Sequence, residues 1–142
     1  MRAGAYVRCN FPFREATGPG PSPHIVFCLA TGHIRNERFA IVVYTTTRTS
    51  FRGNARPRQH LLVDESQATA LGQMKSFHVD VSRVARLPIS PEYFPDMRNG
   101  IIPTFGADRS LVDAVVRRQR ELIDAGYIIV PIDLVARLRP KP

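Results

Sequence analysis

Tryptophan is absent from this chain, and cysteine occurs only at Cys9 and Cys28. Two isolated cysteines in apolar, strand-like surroundings exclude a disulfide-built scaffold and read as buried free thiols. No CxxC or paired Cys/His spacing occurs. The four histidines, His24, His33, His60 and His78, are scattered and form no metal-ligand motif. No apolar run reaches the roughly 18 residues that a membrane span requires. The opening MRAGAYVRCNFPF lacks the apolar centre of a signal peptide, so a soluble, cytoplasmic protein without a membrane partner is expected. Acidic residues are also scarce, 12 against 20 Lys and Arg, giving a net charge of +8 and a pI near 10.5. That imbalance excludes little by itself, but it favours a polyanionic partner, nucleic acid or an acidic protein, over plain solubility.

What is present is a hydrophobic fraction of 44% in 142 residues, enough for one domain with a core. Ala5 to Phe11 alternates as a first strand. Pro12 to Pro23 is a Gly/Pro loop, because proline removes backbone donors and glycine admits positive φ. His24 to Leu29 is a second strand, Thr31 to Arg38 a polar turn, and Phe39 to Thr46 a third strand, hairpin-paired with the second. A basic loop with Arg52, Arg56 and Arg58 precedes a short strand from His60 to Asp64. Ser76 to Val81 alternates strictly, with Phe77, Val79 and Val81 on one face and Ser76, His78 and Asp80 on the other. Val84 to Leu87 extends it, and Pro88, Pro91 and Pro95 end regular structure.

The C-terminal part is different in character. Ser110-Leu111-Val112-Asp113 reads as a capping box with Ser110 as N-cap. Leu111, Val115 and Leu122 form an apolar stripe flanked by Val112, Val116 and Ile123, with Arg117, Arg118 and Arg120 outside, and Gly126 ends the helix. Tyr127 to Ile132 is a strand-like run. Five or six short strands and one late helix predict a mainly β, α+β domain built on a small barrel, about 1–90, with a helical extension over about 91–142.

Candidate chemistry gathers where Phe39-Ala40-Ile41-Val42-Val43-Tyr44 runs into Thr45-Thr46-Thr47-Arg48-Thr49-Ser50. Hydroxyls donate to phosphate oxygens, and arginine binds phosphate bidentately. As ordinary strand residues, threonines need no function. Ser76, His78 and Asp80 have the residue types of a hydrolase triad. However, side chains two apart on a strand stand about 6.5–7 Å apart, too far for a direct relay. That face can instead line an RNA groove with His78 as a base. His24 is a second base candidate, and Phe13, Tyr44 and Phe51 are candidate stacking platforms.

From Gly4 to Leu87 the order of motifs resembles the MazF/PemK family of toxin endoribonucleases. Gly4-Ala5-Tyr6-Val7 leads to Phe11-Pro12, where the family has a Gly-Asp-Ile/Val strand leading to proline. Arg14-Glu15-Ala16-Thr17-Gly18 stands for its Glu-Gln…Gly loop, and Ser22-Pro23 followed by His24-Ile25-Val26-Phe27 for its Arg-Pro and apolar strand. Val42 to Thr47 stands for its valine-rich strand and Pro-x-Thr-Ser end, and Leu71-Gly72 to Ser76 for its Gly…Ser-x-Val segment. Ser82-Arg83-Val84-Ala85-Arg86 stands for its Asp-Gln-Ile-Arg strand. The resemblance implies an SH3-like β-barrel, a homodimer, a partner antitoxin, and cleavage of single-stranded RNA without metal or cofactor.

By the same resemblance Thr46 matches the family's active-site threonine. The family's catalytic arginine falls on Ser22, so Arg14 is expected to supply the missing cation. Thr47, Arg48, Arg52, Ser76 and His78 are expected to bind RNA. A non-catalytic nucleic-acid-binding module, or a toxin that inhibits a topoisomerase, are the alternatives on the same barrel.

Overall fold

In the computed structural model of the chain, the structure describes residues 1–12, 18–47, 57–63, 68 and 76–135. Alternating apolar residues generate most of the architecture. The strands are β1 (Tyr6–Cys9), β2 (His24–Ile34), β3 (Glu37–Thr46), β4 (His60–Val63), β5 (Phe77–Pro88) and β6 (Ile132–Asp133), and the helix α1 is Arg109–Asp124. The sheet runs β1-β2-β3-β5-β4, antiparallel throughout, and β6 adds parallel to β5. It is thus a mainly antiparallel β structure with one C-terminal helix, as the sequence predicts.

Both faces of the sheet are buried, because successive residues on a strand point to opposite sides. Val7, Cys9, Val26, Val42, Ala85 and Leu87 form one core with Tyr93, Phe94, Ile102 and Leu134, contributed from beyond β5. Tyr6, Phe27, Val43, Phe77, Val79, Val81 and Val84 form the other, covered by Val115 and Leu122 of α1. Both helix residues belong to the expected stripe, whereas Val116 and Ile123 on its flank are exposed.

Four expectations need correction. The sheet does not close into a barrel: among the described residues, β1 and β4 share no ladder. The outer side of β1 is taken up by the chain itself. Tyr6 N–H donates to the Gly106 carbonyl at 3.0 Å, Phe105 N–H donates to the Tyr6 carbonyl at 2.8 Å, and Ala5 bridges Ala107. The hairpin between β2 and β3 is longer than expected. Ladder pairing continues to Ile34 opposite Glu37, so the turn is only Arg35-Asn36, with Arg35 at a φ of 56°. The polar residues from Thr31 to Arg38 mark solvent-facing strand positions more than a turn.

The helix cap lies two residues before the expected one. Asp108 is the N-cap, its carboxylate accepting from Leu111 N–H at 3.3 Å and from the Ser110 hydroxyl at 2.6 Å. Ser110 therefore supports the cap instead of forming it. At the other end Gly126, at a φ of 96°, lets its own N–H reach the Ile123 carbonyl and Tyr127 N–H reach that of Leu122. This is the closure for which helices use glycine. Of the run Tyr127 to Ile132, only Ile132 joins the sheet, because Pro131 lacks a donor. No helix among the described residues is long and apolar enough to cross a membrane.

Candidate functional site

The Val42 face of the sheet changes character toward the end of β3. Cross-strand partners stand on the same side of a sheet. Tyr44 pairs with Asp80 and Thr46 with His78, while on the far side of β5 Asp80 pairs with His60 and His78 with Leu62. Register alone therefore brings Tyr44, Thr46, His60, His78 and Asp80 onto one face.

Three of these form a continuous polar chain. His60 and His78 face one another Nδ1 to Nδ1 at 3.1 Å, and His60 Nε2 lies 3.6 Å from Asp80 Oδ2. The other carboxylate oxygen of Asp80 accepts from the Ser82 hydroxyl at 2.6 Å and from Ser82 N–H at 3.0 Å. His60, His78 and Asp80 are 9%, 4% and 8% exposed. Burying polar groups is costly unless they are hydrogen-bonded, and these satisfy one another. Since one imidazole nitrogen must donate where the two rings meet, the pair shares a proton there. A proton shifted along Asp80, His60 and His78 changes whether the second nitrogen of His78 is an acceptor or a donor.

A bulge in β5 shapes the rest. Val43 pairs with Val84, but the next residue, Tyr44, pairs with Asp80, so Val81, Ser82 and Arg83 are surplus on the β5 side. Bulges bend a strand and redirect its side chains. Here the Arg83 guanidinium lies over the Tyr44 ring, 3.8 Å from its centre, and 5.6 Å from the centre of Phe11. Phe11 meets Tyr44 edge-on at 5.3 Å, and the exposed His24 ring lies 5.6 Å from Tyr44. The bulge is held on two further sides: Val81 N–H donates to the Gln59 carbonyl, and the Gln119 amide of α1 donates to the Val81 carbonyl at 3.0 Å.

The expected site residues fare differently. Thr46 is half-buried at the end of β3 beside His78, and Thr47 is exposed immediately beyond it. Thr45 is structural, its hydroxyl donating to the Ile25 carbonyl at 2.6 Å. Ser76 is half-buried, one residue ahead of β5, while His78 belongs to the buried cluster. Arg14, Arg48 and Arg52, with Phe13 and Phe51, lie outside the described residues.

His60, on the neighbouring strand, stands between the side chains of His78 and Asp80, which two-residue spacing on one strand keeps apart. Sequence reasoning missed His60, the carboxylate role of Asp80, and Arg83. The alternation in β5 signals His78 and Asp80, but only the β4–β5 register reveals what stands between them.

The thiols take no part. Both are buried; burial pushes the Cys28 thiol up to about 11 and that of Cys9 higher still. Among the described residues, no group of three or more His, Cys, Asp or Glu is placed to hold a metal ion. No protein-family model matches the chain and no curated protein does, so its chemistry is read from this face alone.

Proposed function

We propose that this chain cleaves single-stranded RNA by attack of a 2′-hydroxyl on the adjacent phosphate. The observation that carries the proposal is the Asp80–His60–His78 chain beside Thr46. The reaction needs a base to take the 2′-hydroxyl proton and an acid to protonate the departing 5′-oxygen, with donors steadying the phosphate between them. The second nitrogen of His78 takes the proton as the 2′-oxygen bonds to phosphorus. The bond from phosphorus to the 5′-oxygen breaks as that oxygen takes a proton from solvent water, leaving a 2′,3′-cyclic phosphate and a 5′-hydroxyl, and the His78 imidazolium returns its proton to solvent. Asp80, acting through His60, stabilises the imidazolium that forms. The Thr46 hydroxyl donates to a non-bridging phosphate oxygen.

On this reading the chain is the toxin of a toxin–antitoxin pair, working as a homodimer in the cytoplasm and restrained by its antitoxin. Its open sheet is a variant of the SH3-like barrel of the MazF/PemK family. The motif order from Gly4 to Leu87 and the positive charge support that wider reading.

Purified protein is expected to cleave labelled single-stranded RNA in excess EDTA and to leave a cyclic phosphate. A 2′-deoxy residue at the cut should block cleavage, and His78→Ala should lower the rate about 10²–10⁴-fold. Cleavage that requires Mg²⁺, or that survives the 2′-deoxy substitution, refutes the mechanism. One observation favours a second reading, a non-catalytic nucleic-acid-binding module: His60 and His78 are buried as a structural polar network would be. Tight RNA binding without cleavage would select it.

A further inference from the structure

We propose that Arg83, its guanidinium seated over the Tyr44 ring, is a binding site for a backbone phosphate of single-stranded nucleic acid. The inference deepens the reading of this face as an RNA site but does not depend on cleavage.

Three observations carry it. First, the arginine is pre-organised. Its guanidinium carbon sits 3.8 Å from the centre of the Tyr44 ring and 5.6 Å from that of Phe11, so the two aromatic faces hold the cation in place. Second, its charge is uncompensated. Among the described residues, Arg83 makes no hydrogen bond or ion pair, although it is half-buried. The nearest carboxylate in sequence, Asp80, is turned toward Ser82 and His60. By contrast, Arg86, three residues on, is paired through both Asp133 oxygens at 3.0 and 2.6 Å. Third, the position is fixed by the fold. The β5 bulge that carries Arg83 is tied to Gln59 and to Gln119 of α1.

A planar fork of donors held over an aromatic ring, without a partner among the described residues, suits bidentate binding of a phosphate. Tyr44 stands two residues from Thr46 on the same face of β3, about 6.5–7 Å along the strand. A phosphate on Arg83 therefore adjoins the one proposed at Thr46, and one strand of nucleic acid serves both.

The test is binding of a 2′-O-methyl single-stranded oligonucleotide, which cannot be cleaved, followed by fluorescence anisotropy across a salt series. Arg83→Gln keeps a polar side chain at the position and removes the charge. It is expected to weaken binding about tenfold and to reduce the slope of log affinity against log salt by about 0.7, the value of one phosphate contact on a single strand. Arg83→Lys should restore the slope but not the full affinity, since a lysine cannot make the fork. Tyr44→Leu should weaken binding with the slope retained.

Wild-type affinity and slope in Arg83→Gln overturn the inference. So does saturation of the site by inorganic phosphate in a protein that does not bind the oligonucleotide. If the slope falls as expected while wild-type protein cleaves no RNA, the Arg83 site stands and the cleavage reading falls. If Arg83→Gln binds and cleaves as wild type does, cleavage stands and this site falls.

Discussion

The two ends of β5 each alternate, with the phase reversed across the bulge, and on the face they share they arrive at opposite chemistries. At the C-terminal end, Ala85 and Leu87 are fully buried under Phe94 and Tyr93, and the intervening Arg86 is neutralised by Asp133 of β6. At the N-terminal end, Phe77 and Val79 pack toward α1, but the alternate positions are His78 and Asp80, whose buried partner is a third polar side chain, His60. The difference lies in what covers the second face. Apolar cover makes a core, whereas polar residues enclosed with polar residues make a buried polar cluster. The bulge at Val81 to Arg83 separates the two regimes and puts a cation at the boundary.

That comparison can be broken by substitution at each end. Leu87→Ala should have the largest effect on stability, a loss of about 2–5 kcal/mol in urea unfolding, because the side chain is fully buried and its neighbours only partly collapse. Ser82→Ala should cost about 1 kcal/mol, the net worth of one hydrogen bond, by removing the hydroxyl donor to Asp80. It should also move the pH profile of RNA cleavage, which Leu87→Ala should not. If Ser82→Ala destabilises as much as Leu87→Ala, the polar end is structural and the contrast fails.

A last effect, a pH dependence confined to alkaline solution, belongs to Cys28. Burial raises its folded pKa from about 9 to about 11. The unfolded chain then loses its thiol proton first. The contribution is complete below about pH 9 and declines as pH rises toward 11. Cys28→Ala should remove that part of the alkaline decline in urea midpoints measured from pH 8 to 11. An identical decline in the variant would show that the thiol is not the group responsible.

Much of the fold is legible in the chain because it rests on local pattern. Phe77, Val79 and Val81 are sorted to one core by alternation, and Val115 and Leu122 to the same core by helical spacing. Cap placement was harder. Asp108 and Ser110 both suit an N-cap, and the choice between them depends on backbone φ and ψ, which no local motif settles. The open sheet was not legible, because the segment occupying the outer side of β1 lies about a hundred residues along the chain.

The site was half legible for the same reason. Thr46 and His78 stand out within their own strands, whereas His60 and Arg83 acquire meaning only from a register and a bulge. The resemblance directed attention to a loop cation at Arg14. The geometry supplies another on β5, at a position the family motif fills with glutamine.

An open sheet has two edges at which a foreign strand can add, and in this protein they are unequal. At the start of β1 the outward N–H and carbonyl of Tyr6 are taken by Gly106 and Phe105, and just beyond the strand Asn10 N–H is bound to the Tyr93 carbonyl at 2.7 Å. Amyloid-like growth or strand-swapped association through β1 would first have to strip that segment away, together with the start of α1, where Asp108 N–H holds the Gly4 carbonyl at 2.8 Å. Among the described residues the opposite edge is β4, and its ladder is four residues long. The segment beside β1 therefore guards that edge against strand addition.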